Sequence, residues 1–288
     1  MILGIDVGGS FTRLGVVDPA LNVSYFYKVK TQEVVEDFSA FIRNFVATIP
    51  LLKGVVMGFP GVVNPMSQSL IKIPNQPQLS SLDIAVLSQQ INLPILIDKD
   101  THLLFHYDRF QKKLDHTPNI LGFYLGTGLG NIIVLNHQII RGDHHSASEL
   151  GHLKIRHHET HCPCGLKGCY ETNVSGHYLK ALHQAQFTTP YDRLFIDHPN
   201  HPLIQAFIDD FCEAMMIEIH LLDVNTIIIG GGVVHMKGFP KDLLVKRLNQ
   251  SIRHDTAPPL AVHFTDDNPH NGVIGAAIWG YQYWESKL

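Results

Sequence analysis

A short pattern that occurs twice constrains the fold of this chain more than any other feature of its sequence. The first copy is Ile5-Asp6-Val7-Gly8-Gly9-Ser10, and the second is Phe123-Tyr124-Leu125-Gly126-Thr127-Gly128. In each copy an apolar run ends at a glycine turn with a hydroxyl residue, and a second apolar run follows, which predicts two strands joined by the turn. The repetition predicts two related lobes that face each other.

Hydrophobic spacing around the two copies predicts an α/β protein. The predicted strands are Ile2–Val7, Thr12–Val17, Val23–Val29, Gly54–Phe59, Leu93–Ile97, Asn119–Leu125, Asn131–Leu135, Asn225–Ile229 and 260–264. The predicted helices are 38–45, Leu82–Ile91, 101–113, 203–222, 239–253 and 272–284. The order in the first half resembles one half of an actin-like ATPase, with a lobe boundary near residue 100 or a little after it.

Composition limits the classes of partner. The chain has 288 residues, of which 45% are hydrophobic and 17% are charged, so it can bury a large core. Its net charge of -4 disfavours a nucleic-acid or membrane-surface partner. No apolar run approaches the ~20 residues of a membrane span. The N-terminal residues, with Asp at position 6, lack the basic start of a signal peptide. We therefore expect a cytoplasmic protein.

The two glycine turns predict phosphate binding, because glycine lets backbone N–H groups approach an anion. In the first turn, Gly8 and Gly9 would supply N–H groups and Ser10 and Thr12 hydroxyl groups, while Asp6 would orient hydrated Mg²⁺. An ordinary hairpin turn is the alternative.

The second turn, Gly126-Thr127-Gly128-x-Gly130, offers the same chemistry. The chain contains no G-x-x-x-x-G-K-S/T motif, which excludes a P-loop. The turn is not a dinucleotide fingerprint either, because a strand and not a helix follows it. A triphosphate held between the two turns is the natural interpretation. Gly230-Gly231-Gly232 would let a ribose or a flat ring lie against the backbone, or would form a strand-to-helix turn.

Histidine and cysteine cluster in the middle of the chain. Seven of the 19 histidines lie between His137 and His161, and Cys162-x-Cys164-Gly165-x-x-Gly168-Cys169 follows. Three converging thiolates and an upstream histidine, His152, predict a tetrahedral Zn²⁺ site. Four protein ligands leave no open position, so the zinc would be structural. The alternatives for the fourth ligand are His157, His158 and His161, and the alternatives to zinc are reactive thiols or disulfides. Cys212 lies in an apolar helical pattern and is expected in the core.

Several carboxylates are candidates for chemistry. Asp100, between a strand and a helix, would accept a proton from a hydroxyl that attacks a γ-phosphate, or would cap the helix, and Asp98 is also available. Glu149 and Glu171 flank the cysteine cluster, so a zinc ion would also hold them in place for sugar hydroxyls. Their alternative is exposure to solvent, and Asn75 is by default a turn residue.

The chain resembles ROK-type sugar kinases of the actin/hexokinase-like superfamily, over nearly its whole length and in the family's order. The matching segments are Asp6-Val7-Gly8-Gly9-Ser10-x-Thr12, Gly58-Phe59-Pro60-Gly61, Pro74-Asn75, Asp100, Leu125-Gly126-Thr127-Gly128-x-Gly130, Glu149-Leu150-Gly151-His152, the cysteine cluster, Glu171, Gly230-Gly231-Gly232 and Gly272-x-x-Gly275-Ala276-Ala277.

The resemblance implies a two-lobed actin-like fold with the active site in the cleft between the lobes. It implies a small lobe of residues 1–100 joined by the C-terminal helix 272–288, a large lobe of 101–271, and a homodimer.

The resemblance also implies a reaction. The enzyme would phosphorylate the 6-hydroxyl of a hexose with ATP and Mg²⁺, using Asp100 as general base. The implied sugar-binding residues are Gly61, Asn75, Lys99, Asp100, Glu149, His152 and Glu171. The implied ATP-binding residues are Asp6, Gly8, Gly9, Ser10, Thr12, Gly126, Thr127, Gly128, Gly130, Gly231 and Gly232. The implied zinc ligands are His152, Cys162, Cys164 and Cys169.

Two departures bear on the substrate. Family members usually have Asn before the base and a second Asn two residues after it, where this chain has Lys99 and His102. Met57-Gly58-Phe59-Pro60, Glu171-Thr172-Asn173-x-Ser175-Gly176 and Phe239-Pro240 look most like D-allose kinases, in which a basic residue also precedes the catalytic Asp. Glucose, fructose, N-acetylglucosamine and N-acetylmannosamine are the alternatives.

Two other classes of protein compete with a kinase. Sugar-responsive repressors of the family carry a DNA-binding domain before the kinase-like part, and here the first turn begins at Asp6. A binding module without catalytic activity is the second rival, suggested by Lys99. The retained Asp100 favours chemistry over both.

Overall fold

The computed structural model describes residues 1–73, 76–155, 157–253 and 258–286. The strands among them are β1 (Ile2–Val7), β2 (Phe11–Val17), β3 (Val23–Lys30), β4 (Gly54–Phe59), β5 (Val62–Asn64), β6 (Ser69–Lys72), β7 (Ile95–Lys99), β8 (Ile120–Leu125), β9 (Leu129–Leu135), β10 (Gln138–Ile139), β11 (Thr226–Gly230) and β12 (Ala261–Phe264). The α-helices are α1 (Phe38–Ala47), α2 (Ile84–Ile91), α3 (Asp100–Gln111), α4 (Gly176–Gln186), α5 (Leu194–Asp197), α6 (Pro202–Leu222), α7 (Lys241–Ser251) and α8 (Asn271–Glu285).

The chain divides into two compact units. Unit 1 contains residues 1–113, 143–145 and 268–288, and unit 2 contains residues 114–142 and 146–267. Unit 1 thus includes α3, beyond the predicted boundary near residue 100. The reason is packing: Leu103 of α3 shares a buried cluster with Val273 and Ala276 of α8.

The main sheet of each unit has the same strand arrangement. In unit 1 the order is β3-β2-β1-β4-β7, and in unit 2 it is β10-β9-β8-β11-β12. In both, three antiparallel strands are followed by two strands parallel to the central one. This common topology accounts for the repeated sequence pattern, because β1 and β8 are the equivalent central strands and a glycine turn follows each.

The apolar side chains of unit 1 lie on both faces of its sheet. On one face Leu3 and Ile5 of β1 pack in a cluster with helices α1 and α2. On the other face Ile2 and Val56 pack against α3 and α8. Because both faces are covered, β1 and β4 are buried along their whole length, as their continuous apolar runs predict.

In unit 2, the largest buried cluster joins β8 and β11 to α6 and α7. The long apolar helix α6 supplies much of it, including Cys212, which is 5% exposed, as its helical spacing predicts. The sequence did not predict α4, whose polar sequence buries only Leu179. The Ser175 side chain accepts a hydrogen bond from the Tyr178 N–H and begins this helix. Among the described residues, no helix has the length and apolar character to cross a membrane.

Candidate active site

The first glycine turn, residues 8–10, joins β1 to β2, and a donor holds each of its three carbonyl groups. Thr31 holds two of them, because its Oγ1 donates to the Gly8 carbonyl at 2.7 Å and its N–H to the Ser10 carbonyl at 3.0 Å. Gln76 Nε2 donates to the Gly9 carbonyl at 3.0 Å. The N–H groups of Gly9 and Ser10 have no acceptor among the described residues, so they are available to an anion.

Thr12 lies inside β2 and is fully buried. Its hydroxyl is 3.2 Å from the Thr31 hydroxyl, whose own proton goes to the Gly8 carbonyl, so Thr12 is the donor of this pair. The structure therefore has Thr12 supporting the turn, which differs from the prediction that both hydroxyls serve the phosphate. Ser10 is exposed on the turn.

Asp6 lies near the end of β1, with only 6% of its surface exposed. Burial raises the pKa of Asp6, while Arg13, whose Nη1 is 3.4 Å from Asp6 Oδ2, opposes the rise. A Cβ atom at Gly272 would lie 2.7 Å from the Asp6 carboxyl carbon, so only glycine leaves this carboxylate its space. A buried carboxylate beside a predicted phosphate turn is consistent with the prediction of an Mg²⁺ ion held through water.

Asp100 is the first residue of α3 and is partly buried, directly after β7. Its Oδ1 accepts a hydrogen bond from the Thr101 N–H at 2.7 Å. Burial and the nearby Asp6 carboxylate raise the pKa of Asp100 to about 7. A carboxylate with that pKa is poised to accept a proton at neutral pH. Lys99, the last residue of β7, is 8% exposed.

Asp98 is not equivalent to Asp100. It is fully buried, and its Oδ1 lies 2.8 Å from His102 Nδ1 and accepts a hydrogen bond from the Lys99 N–H at 2.8 Å. A carboxylate engaged in this way holds the junction of β7 and α3 and is poorly placed to meet a substrate. The sequence left both aspartates open, and the structure favours Asp100.

Two other predicted sugar ligands are Gly61 and Asn75. Gly61 connects β4 to β5 with a φ of 98°, a left-handed conformation that favours glycine. Asn75 lies outside the described residues, so its role remains a prediction.

The second glycine turn, residues 126–128, joins β8 to β9. The N–H groups of Gly176 and His177, at the start of α4, donate to the carbonyls of Gly126 and Thr127 at 2.8 and 3.0 Å. The two ends of a trans peptide point in opposite directions, so these bonds leave the N–H groups of Thr127 and Gly128 directed away from α4. Gly130, predicted in the turn, lies in β9.

Glu171 and the segment containing Gly151 pack against the second turn. Glu171 Oε2 accepts a hydrogen bond from the Leu129 N–H at 3.0 Å. A Cβ atom at Gly128 would lie 2.3 Å from Glu171 Oε2, and one at Gly151 would lie 3.5 Å from Glu171 Cβ. The structure thus brings a predicted sugar ligand beside a predicted phosphate turn.

The cysteine cluster converges as predicted. The donor atoms of His152, Cys162, Cys164 and Cys169 all lie within 4.8 Å of one another. The Cys164 and Cys169 Sγ atoms are 3.7 Å apart, and Cys162 Sγ is 3.7 Å from His152 Nδ1. Ligands of a tetrahedral zinc ion with Zn–S distances of about 2.3 Å are about 3.8 Å apart, so this donor set fits zinc.

The backbone of the cluster depends on two glycines with positive φ, Gly165 at 99° and Gly168 at 76°. A Cβ atom at Gly168 would lie 2.2 Å from the His158 carbonyl oxygen. Among the described residues, His152 is the histidine of this group, and His158 Nε2 instead contacts Thr172 Oγ1 at 3.1 Å.

The two ring nitrogens of His152 face different partners. Nδ1 faces the thiols, whereas Nε2 lies 3.9 Å from Glu149 Oε2. One imidazole therefore connects the candidate metal group to a predicted sugar ligand. This arrangement accommodates the double role that the resemblance implies for His152.

The glycine triplet lies beside the end of β8. Gly231 has a φ of 99°, and a Cβ atom there would lie 2.5 Å from the Leu125 backbone. The Val233 N–H donates to the Leu125 carbonyl at 3.0 Å, which ties the triplet to the strand preceding the second turn. No atom would lie within 4 Å of a Cβ atom placed at Gly232, so the space beside its backbone is open.

The model of the ROK family matches residues 2–282. The chain belongs to the ROK family. Among curated ROK relatives, the N-acetyl-D-glucosamine kinase of Histophilus somni (strain 129Pt) is 28% identical, with 96% of this chain and 98% of the relative covered. The N-acetylmannosamine kinase of Vibrio cholerae serotype O1 (strain ATCC 39541 / Classical Ogawa 395 / O395) is 24% identical, with 96% of each covered.

A solved ROK structure, the glucokinase of Streptomyces griseus in complex with glucose and AMPPNP, superimposes with a TM-score of 0.76. Its sequence is 22% identical, and 98% of this chain and 99% of that chain are covered. The actin-like α/β fold predicted for this chain is confirmed.

Sequence reasoning missed Thr31 and Gln76, the residues that hold the first turn. Thr31 lies 21 residues after Ser10 along the chain, and no local spacing signals that its hydroxyl reaches Gly8. Gln76 follows Pro74-Asn75, a segment that the sequence did single out, but only Asn75 received a role.

Proposed function

We propose that this ATP-dependent sugar kinase transfers the γ-phosphoryl group of ATP to the 6-hydroxyl of a hexose, with Asp100 as general base. The observation that carries the proposal is the placement of Asp100 at the start of α3 with a pKa of about 7. The carboxylate would take the hydroxyl proton as the oxygen attacks phosphorus, and the leaving group is ADP.

In unit 1 the backbone N–H groups of Gly9 and Ser10 would bind phosphate oxygens, and in unit 2 those of Thr127 and Gly128 offer the same chemistry. When bound, Mg²⁺ would offset the negative charge on the phosphate oxygens. Asp6 would orient its water ligands, and Gly231-Gly232 would lie against the adenosine.

Glu149, His152 and Glu171 of unit 2 would recognise sugar hydroxyls, and the resemblance also assigns sugar-binding roles to Gly61, Asn75 and Lys99. Carboxylates accept hydrogen bonds from hydroxyl groups, often in pairs. A structural zinc ion on His152, Cys162, Cys164 and Cys169 would keep these side chains in place. The zinc is proposed from the geometry of the donors and supplies rigidity, with no part in phosphoryl transfer.

For the sugar we propose D-allose, on the resemblance of the segments that surround the site and on Lys99. An ammonium group offers only donors where an asparagine would offer both a donor and an acceptor, so the sugar must present oxygen acceptors to it. The names of the curated relatives support a second candidate class, the N-acetylhexosamines.

The proposal is tested by a coupled assay of ATP consumption over a panel of hexoses. We expect the highest kcat/KM with D-allose, and the panel includes N-acetylglucosamine, N-acetylmannosamine, glucose and fructose. A higher kcat/KM for an N-acetylhexosamine would replace D-allose by the second class. Absence of turnover with every sugar would contradict the kinase proposal and favour a binding module, and sequence-specific DNA binding in a shift assay would favour a regulator.

A further inference from the structure

Gln76 occupies an unusual environment for an amide side chain. It is 4% exposed and precedes the short 3-10 helix Pro77–Ser81. Its Nε2 donates to the Gly9 carbonyl at 3.0 Å, whereas its Oε1 is buried and has no hydrogen-bond partner among the described residues. A buried amide that uses only part of its hydrogen-bonding capacity lowers the stability of a folded protein. Stability alone therefore does not explain a glutamine at this position.

The bond to Gly9 determines where the next N–H group points. The Gly9 carbonyl and the Ser10 N–H belong to one planar trans peptide, so they point in opposite directions. Gly9 is exposed, and no atom would lie within 4 Å of a Cβ placed there, so packing does not restrain this peptide. Glycine also permits a wide range of backbone angles. Thr31 holds the carbonyl groups of Gly8 and Ser10 on either side, and the hydrogen bond from Gln76 is the one that restrains the Gly9 carbonyl.

We infer that Gln76 is a positioning residue for phosphoryl transfer, which holds the Gly9–Ser10 peptide so that the Ser10 N–H faces the phosphates of ATP. The inference rests on the proposed function. It parallels the way in which Thr31 holds the Gly8 carbonyl. The unpartnered Oε1 is then a cost in stability that accompanies the placement of Nε2.

The test compares Gln76→Met with Gln78→Met. Methionine is similar in length to glutamine and cannot donate to Gly9, and Gln78 is an exposed residue of the same segment whose Nε2 bonds to Glu36 Oε1 at 3.1 Å. We expect Gln76→Met to lower kcat and raise the KM for ATP, with kcat/KM for ATP reduced ~10- to 100-fold, because small misplacements of a bound group are costly. The KM for the hexose and the activity of Gln78→Met should stay near wild type.

Thermal melting separates positioning from folding. Gln76→Met removes a buried amide with an unpartnered oxygen, so we expect its Tm to equal or exceed that of wild type. Gln76→Glu replaces the donor nitrogen with an oxygen and should lose at least as much activity as Gln76→Met. A fall in Tm that accompanies the loss of activity, a rise confined to the KM for the hexose, or unchanged kinetics would each overturn the inference.

Calorimetric titration with MgATP keeps this inference distinct from the proposed function. If wild type binds MgATP but phosphorylates no hexose, the proposed function fails, and weaker MgATP binding by Gln76→Met than by Gln78→Met still supports the inference. Equal affinities in the two variants, or no MgATP binding by wild type, would overturn it.

Discussion

At Asp100 a single side chain combines three properties that a general base needs. It begins α3, so its carboxylate is attached to a packed helix and not to a free loop. It is only partly buried, which leaves it accessible to a hydroxyl group. Burial and the Asp6 carboxylate raise its pKa to about 7, so that it changes protonation state near neutral pH. The neighbouring Asp98 is fully buried, and its Oδ1 already contacts His102 Nδ1 and accepts a hydrogen bond from the Lys99 N–H.

We predict that Asp100→Asn lowers kcat about 10²- to 10⁴-fold, the usual contribution of a general base, while sugar affinity changes little. The base must be unprotonated to accept a proton, so wild-type activity should fall as the pH drops below about 7. Steady-state kinetics from pH 5.5 to 9 and calorimetric sugar binding check both points. The exposed Asp115→Asn serves as a control, and undiminished turnover by Asp100→Asn would exclude Asp100 as the base.

At the scale of elements, helices and loops hold the two glycine turns by their carbonyl groups. The N-terminus of α4 holds the second turn through Gly176 and His177, and Glu171 caps its far side at Leu129. Glu171 is two residues from Cys169, within the 3-10 helix Tyr170–Thr172. The cysteine cluster therefore supports the element that presents Glu171.

We predict about one zinc ion per chain, and its loss in Cys169→Ser, because removal of one of four ligands opens the site. The variant should also show a higher KM for the hexose, since Glu171 would lose its support. Elemental analysis and kinetics measure the two effects. Cys212→Ala, outside the cluster, should keep its zinc, and carefully purified wild-type protein without zinc would contradict the assignment.

Helices α3 and α8 approach each other closely at Gly275. A Cβ atom at this position would lie 1.8 Å from the Leu103 carbonyl oxygen, so the two backbones fit together only with glycine. We predict that Gly275→Ala destabilises the protein by about 1–3 kcal/mol or more and lowers kcat, because α3 carries Asp100. Urea unfolding and kinetics test this, with the exposed Gln282→Ala on α8 as control. If Gly275→Ala is as stable as wild type, α3 and α8 can move apart without cost, and the prediction is wrong.

At the scale of the whole molecule, each unit contains at least one carboxyl group whose ionisation is opposed by burial. In unit 1 these groups are Asp6 and Asp100. In unit 2 it is Glu218, which is 8% exposed and accepts a hydrogen bond from Asn131 Nδ2 at 2.9 Å. Burial raises the pKa of Glu218 to about 7, although the bond from Asn131 opposes the rise.

These raised pKa values predict how stability depends on pH. Between pH ~4 and ~7 the folded protein keeps protons that the unfolded chain releases, so the free energy of unfolding should fall as the pH rises through this range. Glu218→Gln removes the ionisable group and should be more stable than wild type at pH 8 by roughly 3 kcal/mol, with the difference vanishing near pH 4. Urea unfolding at the two pH values measures it. Asp100→Asn should also be more stable than wild type at pH 8. Equal stability of Glu218→Gln and wild type at pH 8 would contradict the prediction.

Local sequence was sufficient for features that depend on neighbouring residues. The continuous apolar runs of β1, β4 and β8, the helical spacing of α6, and the close spacing of Cys162, Cys164 and Cys169 all report contacts formed within a few residues. The repeated strand and glycine turn also revealed the common topology of the two units, because each copy is one supersecondary element. By contrast, α4 has too few apolar residues to signal a helix, and its role at the second turn depends on Gly126, which lies 50 residues earlier.

The sequence by itself determined the class of fold and brought together the three cysteines of the candidate metal group, and it predicted a general base at Asp100 or Asp98. Only the tertiary structure decided which residues complete the metal group, which aspartate is accessible and which side chains hold the first glycine turn. It selected His152 among the nearby histidines, separated Asp98 from Asp100, buried Thr12 and placed Gln76 on the first turn. The physical reason is that hydrogen-bond partners, burial and pKa values depend on distances in space, and those distances join residues far apart in the chain.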